Sequence, residues 1–323
     1  PGEDDAMLRG QEQAAVGVAT SPAAVAPTSR SRTRGRVRRA ATPWLFMLPA
    51  LLLYVGFLVY PVVSSLFLSL LRWDGISVER TFVGLGNYQE ILFNDPVARI
   101  ALRNNVVWML ATVLIPTALG LLLAVALNQA LPARNFFRSA IYAPGVLPLV
   151  AVGLIWSWLY NPTFGLVNQV LGWVGLGHLA TGWLGDPDTA LGAVIVTGIW
   201  QRTGFPMLLY LAGLQAIPNE QYEAARIDGA RRWDTFRSIT LPWLRPMHVI
   251  VVALGVIDAV KVFDLIYSMT NGGPAWQTQV LATWMYFNMF QYFNIGYGSA
   301  LAWVIAVISI AFAIPYIRAM VKR

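Results

Sequence analysis

The sequence predicts an all-α, polytopic membrane protein with six transmembrane helices and both termini in the cytoplasm. Apolar residue types make up 57% of the 323 residues and charged types 12%, compared with about 45–50% and about 25% in ordinary soluble domains. The charged residues are separated by long charge-free segments, and Lys and Arg are unequally distributed between the loops. A soluble globule could not bury this much apolar surface, so a bilayer is the expected environment.

Four charge-free segments locate four of the predicted spans. The segments without Asp, Glu, Lys or Arg are residues 40–71, 104–133, 139–185 and 265–317. A transmembrane helix needs about 20 predominantly apolar residues, so each segment accommodates one. In the third segment the helix is expected at roughly 140–160, and in the fourth at roughly 296–317.

Two further apolar segments, near 189–215 and 247–268, complete the six spans. The first is interrupted by one charged residue, Arg202, and the second by three. Charges within a span are costly and usually face protein or water. The charged residues of these two spans are therefore candidates for function.

The orientation of the spans follows from the positive-inside rule. Seventeen of the 23 Lys and Arg residues fall in the N-terminal segment, in the loops after spans two and four, and at the C-terminus. Only four fall in the loops on the opposite side. Both termini are therefore expected in the cytoplasm. Because the basic residues follow the topology, nucleic acid is not an expected partner.

The chain is expected to comprise a tail and one membrane domain. Residues 1–39 are rich in Ala, Ser, Thr, Pro and Arg, and they are predicted to form a disordered, Arg-rich cytoplasmic tail. The apolar run that follows is longer than the hydrophobic region of a cleaved signal peptide, so it is interpreted as span one. Residues 40–323 would then form the six-span domain.

Motifs of catalysis and of metal binding are missing from the sequence. The two lysines, Lys261 and Lys322, do not stand in a G-x-x-x-x-G-K-[ST] motif, so the chain cannot carry its own P-loop. Cysteine is absent, which excludes disulfides and thiolate chemistry. His178 and His248 are predicted on opposite sides of the membrane. Neither an enzyme nor a metal site is therefore expected.

The loop between spans four and five, residues 217–246, has the most specific pattern. Asn219 is expected to cap a short helix, and Gly229 to end it with a positive φ. A second short helix is predicted to run to about Thr240 and to end before Pro242. Its apolar stripe would consist of Trp233, Phe236 and Ile239. On physical grounds alone, an ordinary amphipathic connector explains this loop equally well.

Several motifs resemble one family of transport proteins. Glu223-Ala224-Ala225, followed by Asp228-Gly229-Ala230 and by Leu241-Pro242, resembles the EAA loop of permease subunits in binding-protein-dependent ABC importers. Three further matches to this family are the segments 82–88, 263–274 and 296–300. Together the matches cover roughly residues 44–320, and they are most similar to the first permease of maltose- and glycerol-phosphate-type systems.

The resemblance implies a fold, partners and a location. The fold would be that of a type I ABC importer permease, and a second permease subunit would form the other half of the translocation pathway. Two nucleotide-binding ATPase subunits would bind ATP and Mg, while this chain would hold no cofactor. A solute-binding protein would deliver an oligosaccharide or disaccharide on the extracytoplasmic side. The location would be the cytoplasmic membrane of a bacterium or archaeon, in contact with lipid.

The resemblance also implies which residues couple transport to the ATPase. The candidates in the EAA loop are Glu223, Ala224, Ala225, Asp228, Gly229, Phe236, Leu241 and Pro242. Gly229 would set the angle between the two short helices, and Glu223 would face a basic residue of the ATPase.

The charges within the spans are the candidates for the substrate path. Asp258, Lys261 and Asp264 are three residues apart, so on one helix they would share a stripe. Lys261 paired with one Asp explains this pattern structurally, whereas contact with sugar hydroxyls explains it functionally. The complete set of candidates is Trp200, Gln201, Arg202, Asp258, Lys261 and Asp264.

Other functions remain open from the sequence. An ion-coupled secondary transporter could use Asp258 or Asp264, although it would ordinarily show repeated halves. A channel or scaffold would leave the EAA-like loop unexplained. Within the importer family, glycerol phosphate or another non-sugar solute remains an alternative substrate.

Overall fold

A computed structural model describes Trp44 and residues 46–129 and 131–321. The predicted tail, residues 1–39, lies outside the described residues. The chain divides into a unit that ends at Tyr60 and a larger unit that begins at Pro61. The first unit is helical from residue 46 to its end, and the candidate site lies wholly in the second.

The regular secondary structure of the described chain is helical apart from one small hairpin. Its helices are α1 (Phe46–Ser69), α2 (Gly86–Gln89), α3 (Pro96–Leu127), α4 (Arg134–Tyr142), α5 (Leu149–Leu159), α6 (Leu166–Trp173), α7 (Ala190–Arg202), α8 (Gly204–Gln215), α9 (Asn219–Ile227), α10 (Arg232–Thr235), α11 (Leu241–Trp243), α12 (Arg245–Val260), α13 (Asp264–Thr270), α14 (Leu281–Tyr286) and α15 (Ile295–Val321). The hairpin consists of antiparallel strands β1 (Leu71–Arg72) and β2 (Thr81–Phe82), with Leu71 opposite Phe82.

Short irregular helical turns extend or link several of these elements. The π turns are Val55–Val59 within α1, Glu90–Asn94 after α2, Phe236–Thr240 between α10 and α11, and Phe287–Gln291 after α14. The 3₁₀ turns are Ala143–Val146 and Gly177–Leu179.

Three helices of the described chain are each long and apolar enough to cross a membrane. They are Phe46–Ser69, Pro96–Leu127 and Ile295–Ile314, with mean hydropathies of 2.2, 2.4 and 2.1. Two bent helix pairs raise the count to five if each pair forms one span. The predicted span near 189–215 is divided at Thr203 into α7 and α8, and each half is too short to cross a bilayer alone.

The second span begins earlier than the charge-free segment predicts. α3 starts at Pro96, and the Asp95 side chain caps it by accepting hydrogen bonds from the backbone N–H groups of Val97 at 2.8 Å and Ala98 at 3.1 Å. Proline at the first helical position needs no hydrogen-bond partner. The helix therefore contains Arg99 and Arg103 in its first turns.

The predicted span near 247–268 is broken. α12 ends at Val260 and α13 begins at Asp264, so residues 261–263 interrupt the helix. The Asn105 amide stabilises the break by donating to the carbonyls of Ala259 at 3.5 Å and Val260 at 3.3 Å. Its oxygen accepts from the Leu281 N–H at 2.7 Å. One buried side chain thus satisfies backbone groups that a continuous helix would pair internally.

The segment of the predicted third span differs from a straight helix at 140–160. The helical segment Arg134–Val146 is bent by 102° relative to α5. Pro144 and Pro148 lie at this bend, where proline removes backbone donors and disfavours helix in the preceding residue.

A buried apolar cluster anchors the loop after α8. Met207, Tyr210 and Leu214 of α8 pack with Leu127 at the end of α3 and with Leu244 before α12. The loop residues Ile217, Tyr222 and Ile239 extend the same cluster. This packing fixes residues 217–246 against the membrane domain.

Candidate functional site

A cavity of about 530 Å³ lies between α3, the junction of α7 and α8, and the break between α12 and α13. Of the six predicted path residues, five line it: Gln201, Arg202, Asp258, Lys261 and Asp264. Its volume falls in the range of pockets that bind small molecules, about 300–1,000 Å³. Charges from three different helix ends therefore meet at one concave site.

Trp200 is the predicted path residue that does not line the cavity. Its ring packs edge-on against Trp156, with ring centroids 5.4 Å apart and an interplanar angle of 66°. Because Trp200 and Gln201 are adjacent on a helix, their side chains point about 100° apart. Of Trp200, Gln201 and Arg202, only the last two line the cavity.

The charged residues do not form the predicted stripe on one helix. Asp258 lies in the last turn of α12, Lys261 follows the end of that helix, and Asp264 begins α13. They line the same cavity because the chain changes course at residues 261–263. The break also leaves Lys261 and Asp264 exposed.

Asp258 lies between two cations. Its Oδ2 is 3.7 Å from Arg202 Nη1, and its Oδ1 is 4.0 Å from Lys261 Nζ. Arg202 is 20% exposed, whereas Lys261 and Asp258 are 58% and 56% exposed. The predicted partner Lys261 is thus the more distant and more hydrated one, and Arg202 is the closer partner. Asp264 makes no ion pair with any described residue.

An aromatic group adjoins the cavity. Phe263, which lines it, stacks on Tyr267 with centroids 5.1 Å apart and an interplanar angle of 15°. Tyr286 meets both rings edge-on, at 5.4 and 5.3 Å. The spacing of four is a local signal for this contact, because Phe263 immediately precedes α13 and Tyr267 lies in its first turn. The approach of Tyr286 depends on tertiary folding and has no local signal.

The first short helix of the loop ends as predicted but does not begin as predicted. Asn219 is its first residue, Pro218 occupies the capping position, and no side chain caps the helix. At the other end Gly229 has φ +74°. The Ala230 N–H donates to the Ala225 carbonyl at 2.9 Å, and the Gly229 N–H donates to the Arg226 carbonyl at 3.2 Å. This is the hydrogen-bond pattern of a Schellman motif.

The second short helix does not end before Pro242. Its helical course continues through Trp243, with the π turn Phe236–Thr240 immediately before α11. Proline offers no N–H to the preceding turn and its ring crowds that turn, and a widened π turn accommodates such a site. The bend follows at Leu244, where the axis turns by 63° into α12.

The apolar residues of this second helix do not form one buried stripe. Trp233 is 68% exposed and stacks on Phe236, with centroids 5.6 Å apart. Ile239 packs into the cluster around Leu214 instead. The helix therefore has an inner anchor and an aromatic surface.

Most predicted coupling residues are exposed on the loop surface. Glu223, Ala224, Asp228, Gly229, Leu241 and Pro242 are exposed, while Ala225 and Phe236 are half-buried. Ile227, beside them, is 86% exposed. The Tyr222 hydroxyl and Thr240 Oγ1, 3.2 Å apart, link the two short helices. The loop is thus a helix–turn–helix whose inner side packs against the apolar cluster and whose outer side is exposed.

Apolar membrane-length helices, a charged cavity beside a broken helix and an exposed helix–turn–helix together define an integral membrane transport subunit. The chain belongs to the family of binding-protein-dependent transport system inner membrane components, whose model matches residues 116–323. It is an ABC importer permease, which confirms the resemblance found in the motifs.

Curated relatives agree with this assignment over most of their length. The chain is 39% identical to the probable ABC transporter permease protein YurN of Bacillus subtilis, over 85% of this chain and 94% of the relative. It is 36% identical to the trehalose/maltose transport system permease protein MalF of Thermococcus litoralis, over 88% and 95%. It is also 36% identical to the alpha-glucoside transport system permease protein AglF of Rhizobium meliloti, over 88% and 83%.

Solved structures support the type I ABC permease fold. A crystal structure of a bacterial alginate ABC transporter, in complex with an alginate pentasaccharide-bound periplasmic protein, matches with a TM-score of 0.74. The match covers 87% of this chain and 94% of that chain at 22% identity. At this identity the likeness concerns the fold.

Proposed function

We propose that the chain forms half of the translocation pathway of an ATP-driven importer for a neutral oligosaccharide or disaccharide. The observation that carries this proposal is the convergence of Arg202, Asp258, Lys261 and Asp264 on one cavity. Such charges are expensive in a membrane domain and mark substrate pathways.

The charge balance of the cavity favours an uncharged solute. Its two cations, Arg202 and Lys261, are matched by Asp258 and Asp264. An anionic solute such as glycerol phosphate would meet no surplus of positive charge in this cavity. Asp264, free of ion pairs among the described residues, is available to accept hydrogen bonds from sugar hydroxyls.

The aromatic group supplies the other contact that a sugar needs. Phe263 presents an apolar face at the cavity, and Tyr267 and Tyr286 hold its ring in place. Aromatic faces pack against the apolar face of a sugar ring, while tyrosine hydroxyls remain available for hydrogen bonds.

The helix–turn–helix at residues 217–246 is the proposed docking element for an ATPase subunit. Its exposed residues Glu223, Ala224 and Asp228 surround the turn at Gly229, and Ile227 adds an apolar anchor. The ATPase would bind ATP and Mg and would contact this surface. Because Tyr222 and Ile239 tie the loop to the membrane domain, movement of the ATPase would be transmitted to α8 and α12.

The proposed topology has six spans with both termini in the cytoplasm. Besides the three long helices and the two bent pairs, the combined segment of α7 and α8 would form the remaining span. Residues 1–39 would be a cytoplasmic tail. A second permease, two ATPase subunits and an extracytoplasmic solute-binding protein would complete the importer in a bacterial or archaeal cytoplasmic membrane.

Uptake by the assembled importer in proteoliposomes tests the substrate class. We expect accumulation of a labelled neutral disaccharide and none of labelled glycerol phosphate. Asp264→Asn should reduce uptake about tenfold, because a hydrogen bond to a charged group is worth about 1.5–3 kcal/mol. Asp188→Asn, a change at an exposed loop carboxylate, serves as the matched control. Preferred uptake of glycerol phosphate, or equal uptake by both variants, would contradict the proposal.

A further inference from the structure

The short helix α4 carries two phenylalanine side chains on the outside of the protein. Phe136 is 68% exposed and Phe137 is 48% exposed, and their rings meet edge-on with centroids 5.8 Å apart. Ala140, four residues after Phe136, extends the same face. None of these side chains is covered by another part of the described chain.

The side of α4 that points away from Phe136 is fixed to the protein. Arg138 Nη2 donates a hydrogen bond to the Leu127 carbonyl at 2.8 Å. Ile141 packs against the apolar cluster that contains Met207 and Leu214. The contacts of Arg138 and Ile141 therefore fix the orientation of α4 and direct Phe136 and Phe137 outward.

These contacts also place α4 at one end of a span. Leu127 is the last residue of α3, and its carbonyl is one of the helix-end acceptors that Arg138 satisfies. The segment Arg134–Val146 is bent by 102° from α5. Because the two axes are nearly perpendicular, α4 runs across the direction of the span that follows it.

We propose that α4 is an interfacial helix that lies along the bilayer surface, with Phe136 and Phe137 inserted among the lipids. Amphipathic helices bury an apolar face of this kind, in which Phe is common, at the boundary between headgroups and acyl chains.

The charge of the segment favours lipid over a soluble partner. No Asp or Glu occurs between Asp95 and Asp186, so no carboxylate on this stretch would be repelled by an anionic leaflet. The exposed Arg134 at the start of α4 is available to lipid phosphates. The inference rests on the membrane location of the family and is independent of the substrate.

Site-specific quenching tests this proposal, and the chain is well suited to it because it contains no cysteine. Phe136→Cys and Asn135→Cys, each labelled with an environment-sensitive fluorophore, would be compared in the full chain. The chain would be reconstituted into nanodiscs of phosphatidylcholine and phosphatidylglycerol. Asn135 is the matched control, since it is exposed and lies on another face of α4. Phe137→Cys makes the same test if Phe136→Cys does not fold.

We expect the label at position 136 to show blue-shifted emission, strong quenching by lipids brominated on the acyl chain, and protection from aqueous iodide. The label at position 135 should show the reverse. Equal iodide quenching at both positions would overturn the proposal. Protection at position 136 from both quenchers would also overturn it, because a protein partner would then cover the face.

Discussion

Removal of the Asp258 carboxylate is the change for which the structure predicts the most specific pattern of effects. Asp258 lies 3.7 Å from Arg202 and 4.0 Å from Lys261. At such distances two unit charges attract by about 1 kcal/mol in water and by about 4 kcal/mol at an effective dielectric constant of 20. The more a side chain is exposed to water, the closer its attraction lies to the lower of these two values.

Arg202 is 20% exposed, so the loss of its partner is poorly compensated by water. We expect Asp258→Leu to lower the free energy of unfolding by about 1–3 kcal/mol. Lys261 is 58% exposed, and exposed pairs are worth about 0–1 kcal/mol, so Lys261→Met should cost little. The double variant Arg202→Met with Asp258→Leu should be more stable than Asp258→Leu alone, because no unpaired, partly buried charge remains.

Apparent thermal stability of the detergent-purified chain measures this order. The expected sequence, from most to least stable, is wild type, Lys261→Met, the double variant, and Asp258→Leu. Equal losses for Lys261→Met and Asp258→Leu would refute the reasoning. So would a double variant that is less stable than Asp258→Leu.

Three further changes test the turn at Gly229, the contacts of Asn105 and the predicted tail. Gly229→Pro should abolish uptake while the protein still inserts, because the turn needs positive φ. Gly229→Asn should retain uptake, since Asn tolerates that conformation. Normal uptake and ATPase association by Gly229→Pro would contradict this expectation. Asn105→Ala should lower the free energy of unfolding by about 1–3 kcal/mol because it leaves buried backbone groups unpaired. The control Asn94→Ala, at an exposed site, should be neutral. Equal thermal stability of the two variants would contradict the structural role of Asn105. Deletion of residues 1–35 should leave uptake intact, and a loss of uptake with normal insertion would show a function for the tail.

The positions of the helices were the most predictable feature because the bilayer imposes them. Long charge-free segments correspond to the apolar surface that a membrane requires, and each of the predicted segments contains helix in the structure. The charge-free segment begins only after Arg103, so it predicts the start of α3 too late. Asp95-Pro96 is a local start signal that identifies the true boundary.

The break at residues 261–263 could not be predicted from local sequence. It contains no Gly or Pro, and it is stabilised by Asn105 from a distant part of the chain. The prediction of one continuous helix through Asp258 and Lys261 is therefore wrong. The sequence still marks these residues as candidates for the substrate path, because charges within spans usually face protein or water.

The loop at residues 217–246 shows the same division between local and tertiary signals. Gly229 marks its turn because glycine adopts positive φ without strain. Pro242, in contrast, suggests a helix end, but the preceding π turn accommodates it. The exposure of Trp233 depends on which face of the second short helix packs against the apolar cluster. The spacing of the apolar residues in this short helix does not determine that face.

The energy source of uptake distinguishes an ATP-driven importer from an ion-coupled transporter. The chain would be co-purified with its partner subunits, reconstituted into proteoliposomes with the solute-binding protein, and supplied with a labelled neutral disaccharide. We expect accumulation that requires ATP on the side of the 217–246 loop, is insensitive to a protonophore, and is lost in Gly229→Pro. Accumulation without ATP, driven by a proton or sodium gradient and lost on mutation of Asp258 or Asp264, would contradict this expectation.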